Sequence, residues 1–204
     1  MKIWILAASI IGSAFITNLS HAYNIADVQL PEVIYATAER PELKLNGASL
    51  RELYLLIKTY VGALYLESPS TNPDVIINSE SHKSMVFHVM MKRVGARRIA
   101  TALQEALVVN LTEAEHKNLT KELDQMLSYF TGKMHAGEQA SFDYIPGVGT
   151  RITINNEVKG VIPGKDYFKA MLSIWIGENP VGRSFKNEVL GLKTQKDQSM
   201  VAGQ

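Results

Sequence analysis

The sequence predicts an α+β domain built on a largely antiparallel sheet, and three observations carry that expectation. Runs rich in Val, Ile, Leu and Tyr fill the region from Val33 to Met91. Helical periodicity then takes over from Ala96 to Phe130. Short strand-like runs separated by Pro-Gly and Asn-Asn return between Ser141 and Ile162, before a last pair of helical stretches. Strands grouped with strands and helices with helices, joined by hairpin signals, describe α+β.

The densest apolar stretch is Gly47–Glu67, GASLRELYLLIKTYVGALYLE. From Leu50 to Leu66 it has no proline, and Asn46-Gly47 and Ser68-Pro69-Ser70 bound it. It reads as one long strand, or two bent into each other near Gly62. Alternation places Arg51, Leu53, Leu55, Ile57, Thr59 and Val61 on one face, and Glu52, Tyr54, Leu56, Lys58, Tyr60 and Gly62 on the other. Neither set is polar throughout, so both faces are expected to be covered. Arg51 and Lys58 interrupt this apolar surface, and each needs a carboxylate, water or a ligand anion.

The other elements follow in order. Tyr23–Pro31 reads as a lead-in, Val33–Tyr35 and Leu43–Leu45 as short strands, the second ending at the Asn46-Gly47 turn signal. Asn72-Pro73-Asp74 opens a short helix or turn holding Val75–Ile77, and Met85–Met91 is a buried strand. Ile99, Leu103, Ala106, Leu107 and Asn110 line one side of a helix beginning near Ala96. Thr112 and Glu115 form a capping box for the next, striped by Leu119, Leu123, Met126, Leu127 and Phe130 and stopped at Gly132. Ser141–Ile145, Thr150–Ile154 and Val158–Ile162 make a meander. Pro146-Gly147-Val148-Gly149 lacks a Walker lysine and precedes a strand, so it is a hairpin turn rather than a phosphate cradle. Asp166 is the expected N-cap of a helix buried through Phe168, Met171, Leu172 and Trp175 and ended at Gly177, and Phe185–Leu190 forms the last helix.

The ends read differently. Lys2, the apolar run Ile3–Ile16 and the small residues of Ser20-His21-Ala22 describe a secretory signal peptide cleaved after Ala22, since the run falls short of the ~20 apolar residues of a membrane span. From Lys193 the chain is a polar tail, which leaves one domain over 23–191. Without Lys2 there remain 20 Lys and Arg against 20 Asp and Glu, which gives no basic footprint for nucleic acid and no reason, from the overall balance, to expect a strongly anionic membrane as partner. With no cysteine, disulfides, thiolate catalysis and zinc–thiolate sites are excluded. The histidines show neither HxxH nor HExxH spacing, no GxSxG is present, and no cofactor or metal is expected.

In this order the residues carry a resemblance. Gly47–Arg51, Lys58–Tyr60, Ala63–Glu67, Tyr144–Gly147 with Gly149-Thr150, Gly160, Gly164, Tyr167-Phe168, Ile174–Gly177 and Leu190-Gly191 resemble the chalcone isomerase-like family in its bacterial exported branch. The resemblance spans about Val33 to Gly191 and implies an open-faced β-sandwich: a large antiparallel sheet, a layer of helices and a ligand cleft between them. It implies export to the periplasm. The family's enzymes close a chalcone to a flavanone, and other members bind fatty acids or have no known catalysis. The enzymes' strand arginine corresponds to Arg51 and the strand threonine to Tyr60. The helix tyrosine and asparagine fall near Arg98 and Glu105, and the late threonine near Ile174.

Four of these five positions depart from the enzymes. Ile174 offers no donor to a developing enolate, and Glu105 would add negative charge where it is least wanted. The resemblance therefore implies a non-catalytic binder of an apolar or amphipathic carboxylate such as a fatty acid, with Arg51, Tyr60, Arg98 and Glu105 as candidate ligand-binding residues. An isomerase or intramolecular lyase using Tyr60 or Arg98 as electrophile, and an interaction module with a closed cleft, are the alternatives.

Overall fold

The structure is a computed structural model that describes residues 22–54 and 56–192. The leader read over residues 1–22, apart from Ala22, and the tail from Lys193 lie outside the described residues. The chain opens with a hairpin, β1 (Ala22–Ile25) and β2 (Val28–Pro31), where the sequence suggested only a lead-in. β3 (Val33–Ile34) and β4 (Leu43–Leu53) follow, then β5 (Ile57–Leu66), α1 (Pro73–Asn78), β6 (Lys83–Val89) and β7 (Arg93–Gly95). The helical section is α2 (Ala96–Val108), α3 (Glu113–Asn118) and α4 (Thr120–Tyr129). β8 (Lys133–His135), β9 (Gln139–Ile145), β10 (Gly149–Ile154), β11 (Glu157–Pro163), α5 (Asp166–Ile176) and α6 (Arg183–Val189) complete it.

Seven strands form one antiparallel sheet in the order β11-β10-β9-β6-β5-β4-β3. The fold is α+β, with a large antiparallel sheet and a helical layer. The expected strand near Gly62 is corrected: Gly62 sits unbent inside β5, and the chain reverses at Tyr54–Leu56, giving the β4–β5 hairpin. That reversal changes the faces. Arg51 and Tyr60, assigned to opposite faces of one strand, are cross-strand partners and therefore neighbours on one face. Asn46-Gly47 is also corrected, from a turn to an irregularity within β4, where the register shifts between Leu45 and Gly47.

The reason glycine stands at 47 is α6. A Cβ there would lie 2.1 Å from the Glu188 carbonyl oxygen, so only a bare backbone lets α6 press this close to β4. Asn46 Nδ2 donates to the Val189 carbonyl at 2.9 Å and Ser49 Oγ to Glu188 Oε2 at 2.6 Å, pinning the same contact.

The sheet is covered on both faces, as its lack of a polar side predicted. On the helical face Leu64, Leu66, Met85, Phe87, Phe142 and Ile152 meet Phe168, Met171 and Trp175 of α5 and Leu103 and Leu107 of α2. α5 buries eight of its eleven residues because it lies between sheet and α2. On the other face Leu30 of the β1–β2 hairpin packs with Leu43, Ala48, Val61, Ala63 and Tyr65. Two smaller readings also change. Lys165, not Asp166, is the N-cap of α5, and the single helix after the Thr112 capping box is broken at Leu119 into α3 and α4.

Candidate functional site

The site begins with the hairpin register. Arg51 on β4 faces Tyr60 on β5, one step beyond the shift between Arg51 and Glu52. Thr59, whose side chain points away from Tyr60, donates its hydroxyl to the Arg51 carbonyl at 2.7 Å and fixes that irregular step. The guanidinium Nη1 donates to the Glu52 carbonyl at 2.8 Å. No carboxylate lies within ion-pair distance of Arg51 among the described residues. Most of its five N–H donors are thus left for water or an incoming anion.

Tyr60 is held from three sides. Its ring meets Phe87 edge-on at 5.3 Å and Phe185 at 5.8 Å between centroids. Its hydroxyl accepts the Trp175 indole N–H at 3.0 Å. Burial pushes the phenol up to about 12, with the Trp175 bond and the Arg51 charge pulling the other way. Tyr60 is therefore a neutral donor at any physiological pH, with its own O–H still to give. A guanidinium fork beside an un-ionised phenol, at the edge of an aromatic cluster, suits a carboxylate attached to an apolar body.

The other candidates stand elsewhere. Arg98 and Glu105 lie on the exposed side of α2, while Ala100, Leu103 and Leu107 turn to the core. The structure brings Arg51 and Tyr60 together and leaves these two facing solvent. Ile174 is fully buried and offers no donor to the site.

Sequence reasoning missed Trp175 and Phe185 as neighbours of Tyr60; Trp175 was read as core stripe and Phe185 as the start of the last helix, and only tertiary packing places them there. Two cavities also lie away from the pair. One, of about 380 Å³, is on the helix-free face among Tyr65, Ser84, His88 and Asp143. The other, of about 390 Å³, lies at the ends of α2 and α5 near Asn110, Gly177 and Lys186.

A family model described as chalcone isomerase-like matches residues 22–191. The chain belongs to the chalcone isomerase-like family. Among solved structures it is similar to the fatty-acid binding protein of Arabidopsis thaliana, at a TM-score of 0.68 and 16% identity, covering 83% of this chain and 96% of that one. At that identity the likeness is one of fold. Among curated proteins none matches the sequence. Within this chalcone isomerase-like fold, Tyr60 lies on the sheet face beneath Trp175 of α5 and Phe185 of α6, with Arg51 its cross-strand partner.

Proposed function

We propose that the protein is an exported, non-catalytic binder of an amphipathic carboxylate such as a fatty acid, with Arg51 and Tyr60 holding the head group. One observation carries the reading: a half-buried guanidinium without a carboxylate partner among the described residues faces a half-buried phenol that has a proton to donate. The carboxylate would accept from the Arg51 fork and from the Tyr60 O–H, while the acyl chain lies against Phe87, Phe185 and Trp175. The similarity to a fatty-acid binding protein supports the ligand class. Export rests on the leader read in the sequence.

Catalysis is left out of this reading because Ile174 puts an alkyl group where the enzymes have a hydroxyl, and because Glu105 stands in solvent. Native mass spectrometry and organic extraction of the purified protein test the ligand class, followed by titration with palmitate. A stoichiometric fatty acid lost in Arg51→Ala, with affinity reduced by more than tenfold, supports the reading; a charged hydrogen bond is worth about 1.5–3 kcal/mol. Palmitate affinity unchanged in Arg51→Ala removes the arginine from the site. A folded protein that takes up no carboxylate would favour a closed scaffold packed around Tyr60.

A further inference from the structure

We propose that the tip of the β4–β5 hairpin is a membrane-docking element that enters the interface of a bilayer containing anionic lipid. Four apolar side chains stand out of the fold there. Tyr54 is 87% and Leu56 86% exposed, flanked by Leu53 at 41% and Ile57 at 47%. Scattered apolar residues are ordinary on a surface, but a contiguous group at a protruding tip is not.

The turn itself gives no reason for them. The Leu56 N–H donates to the Leu53 carbonyl at 3.2 Å, and Tyr54 adopts φ of 53°. Hairpin turns with left-handed residues favour Asn, Asp and Gly, and a bulky side chain there is strained. The same molecule follows the rule elsewhere: the β10–β11 turn uses Asn155 and Asn156, at φ of 50° and 64°. At the β4–β5 tip both turn chemistry and solubility are set aside for apolar surface.

Charge then selects the occupant. Lys58 is exposed close to the tip, where it faces Glu52 across the hairpin, and Arg51 comes next along β4. β6 runs alongside, its last link the Met90 N–H to the Thr59 carbonyl at 2.9 Å, and the segment leaving it carries the exposed Lys92 and Arg93. Over residues 51–58 and 90–93 the sole carboxylate is Glu52, although the chain beyond Ala22 is neutral overall.

Lys58 stands two positions from Leu56 and Arg51 three from Tyr54, about 7–10 Å at about 3.3 Å of rise, within the roughly 5–10 Å to which interfacial elements sink. Cations would rest at the phosphates and the tip among the first acyl carbons, with the amphipathic Tyr54 suited to that boundary. A protein partner fits less well, since four residues fall far short of the roughly 20–30 a side in a stable interface.

Tyr54→Trp, made in the chain processed after Ala22, supplies a local reporter against the background of Trp175, since Trp4 leaves with the leader. The probe is a vesicle of equal parts phosphatidylcholine and phosphatidylglycerol carrying bromine on the upper acyl chain. The expected result is a blue-shifted, bromine-quenched emission from residue 54. Adding Leu56→Asp should lower partitioning by about tenfold or more, the equivalent of one leucine's burial. Because Leu56 is exposed, that variant keeps the parent's near-ultraviolet dichroism. Lys58→Glu with Lys92→Glu should abolish the preference over pure phosphatidylcholine. An indole that stays solvent-like at saturating lipid overturns the proposal. So does a blue shift that follows protein concentration rather than lipid, which would assign the tip to a second copy of the chain.

Discussion

Trp175 donates its indole N–H to the Tyr60 hydroxyl at 3.0 Å, tying α5 to β5 between residues 115 positions apart in the chain. Trp175 is buried and Tyr60 half-buried, so this bond is at once a support of the helical layer and the wall of the proposed site. Tyr60→Phe keeps the ring contacts with Phe87 and Phe185 but strands the indole N–H, at a cost of about 1–3 kcal/mol in chemical denaturation. Tyr60→Phe with Trp175→Phe should lose less than the two singles summed, because the pair is then removed together. Strict additivity would show that the bond contributes nothing.

Arg51→Lys separates charge from geometry. It keeps the cation near Tyr60 but replaces a planar fork with a point charge. Carboxylate affinity should fall between those of the parent and Arg51→Ala, with the unfolding midpoint of all three alike, since the guanidinium's recorded hydrogen bond is to the adjacent Glu52 carbonyl. A lysine variant as weak as alanine assigns the recognition to the fork.

Gly47→Ala tests the seat of α6. The new methyl would meet the Glu188 carbonyl at 2.1 Å and the Val189 carbonyl at 2.9 Å, both backbone atoms. Overpacking of this kind costs about 1–3 kcal/mol, and here α6 has to withdraw from β4. A thermal midpoint equal to the parent's would mean that α6 is not held where the structure places it.

Lys83 gives a pH signature. It is 1% exposed, and burial pulls its amine from 10.5 down to about 8, against the opposing pull of Glu80. Between these values the unfolded chain binds the proton more tightly than the folded one, so stability rises with pH from about 8. Above pH 10 the trend reverses, because Tyr60 stays protonated in the fold to about 12 while an unfolded phenol ionises. Urea midpoints across this range should show the rising limb in the parent and a flat one in Lys83→Met. A parent limb that is already flat would place the charged amine in water.

The helices and the β9–β11 meander were legible because their signals are local: apolar spacing, the Thr112–Glu115 box, and the Pro146-Gly147 and Asn155-Asn156 turns. The β4–β5 reversal was not, because Leu53-Tyr54-Leu55-Leu56-Ile57 contains none of the residues that normally mark a turn. Missing that turn put Arg51 and Tyr60 on opposite faces, although both had been singled out. The β7–β8 ribbon escaped for a related reason: three residues a side carry no readable period. Trp175 beside Tyr60 depends on the docking of α5, which a single sequence does not encode in any short window.

The two faces of the sheet draw on different parts of the chain. The cluster under the β1–β2 hairpin uses residues no later than Met90, whereas the other face depends on α5 and α6, which end at Val189. A chain emerging from its N-terminus can complete that cluster, over β3–β6, early. The opposite side, including the floor around Tyr60, has to wait bare until nearly the last residue is available. Such late closure raises contact order and prolongs exposure of apolar strand surface. A chain truncated before Asp166 is accordingly a candidate for chaperone capture rather than a smaller working domain.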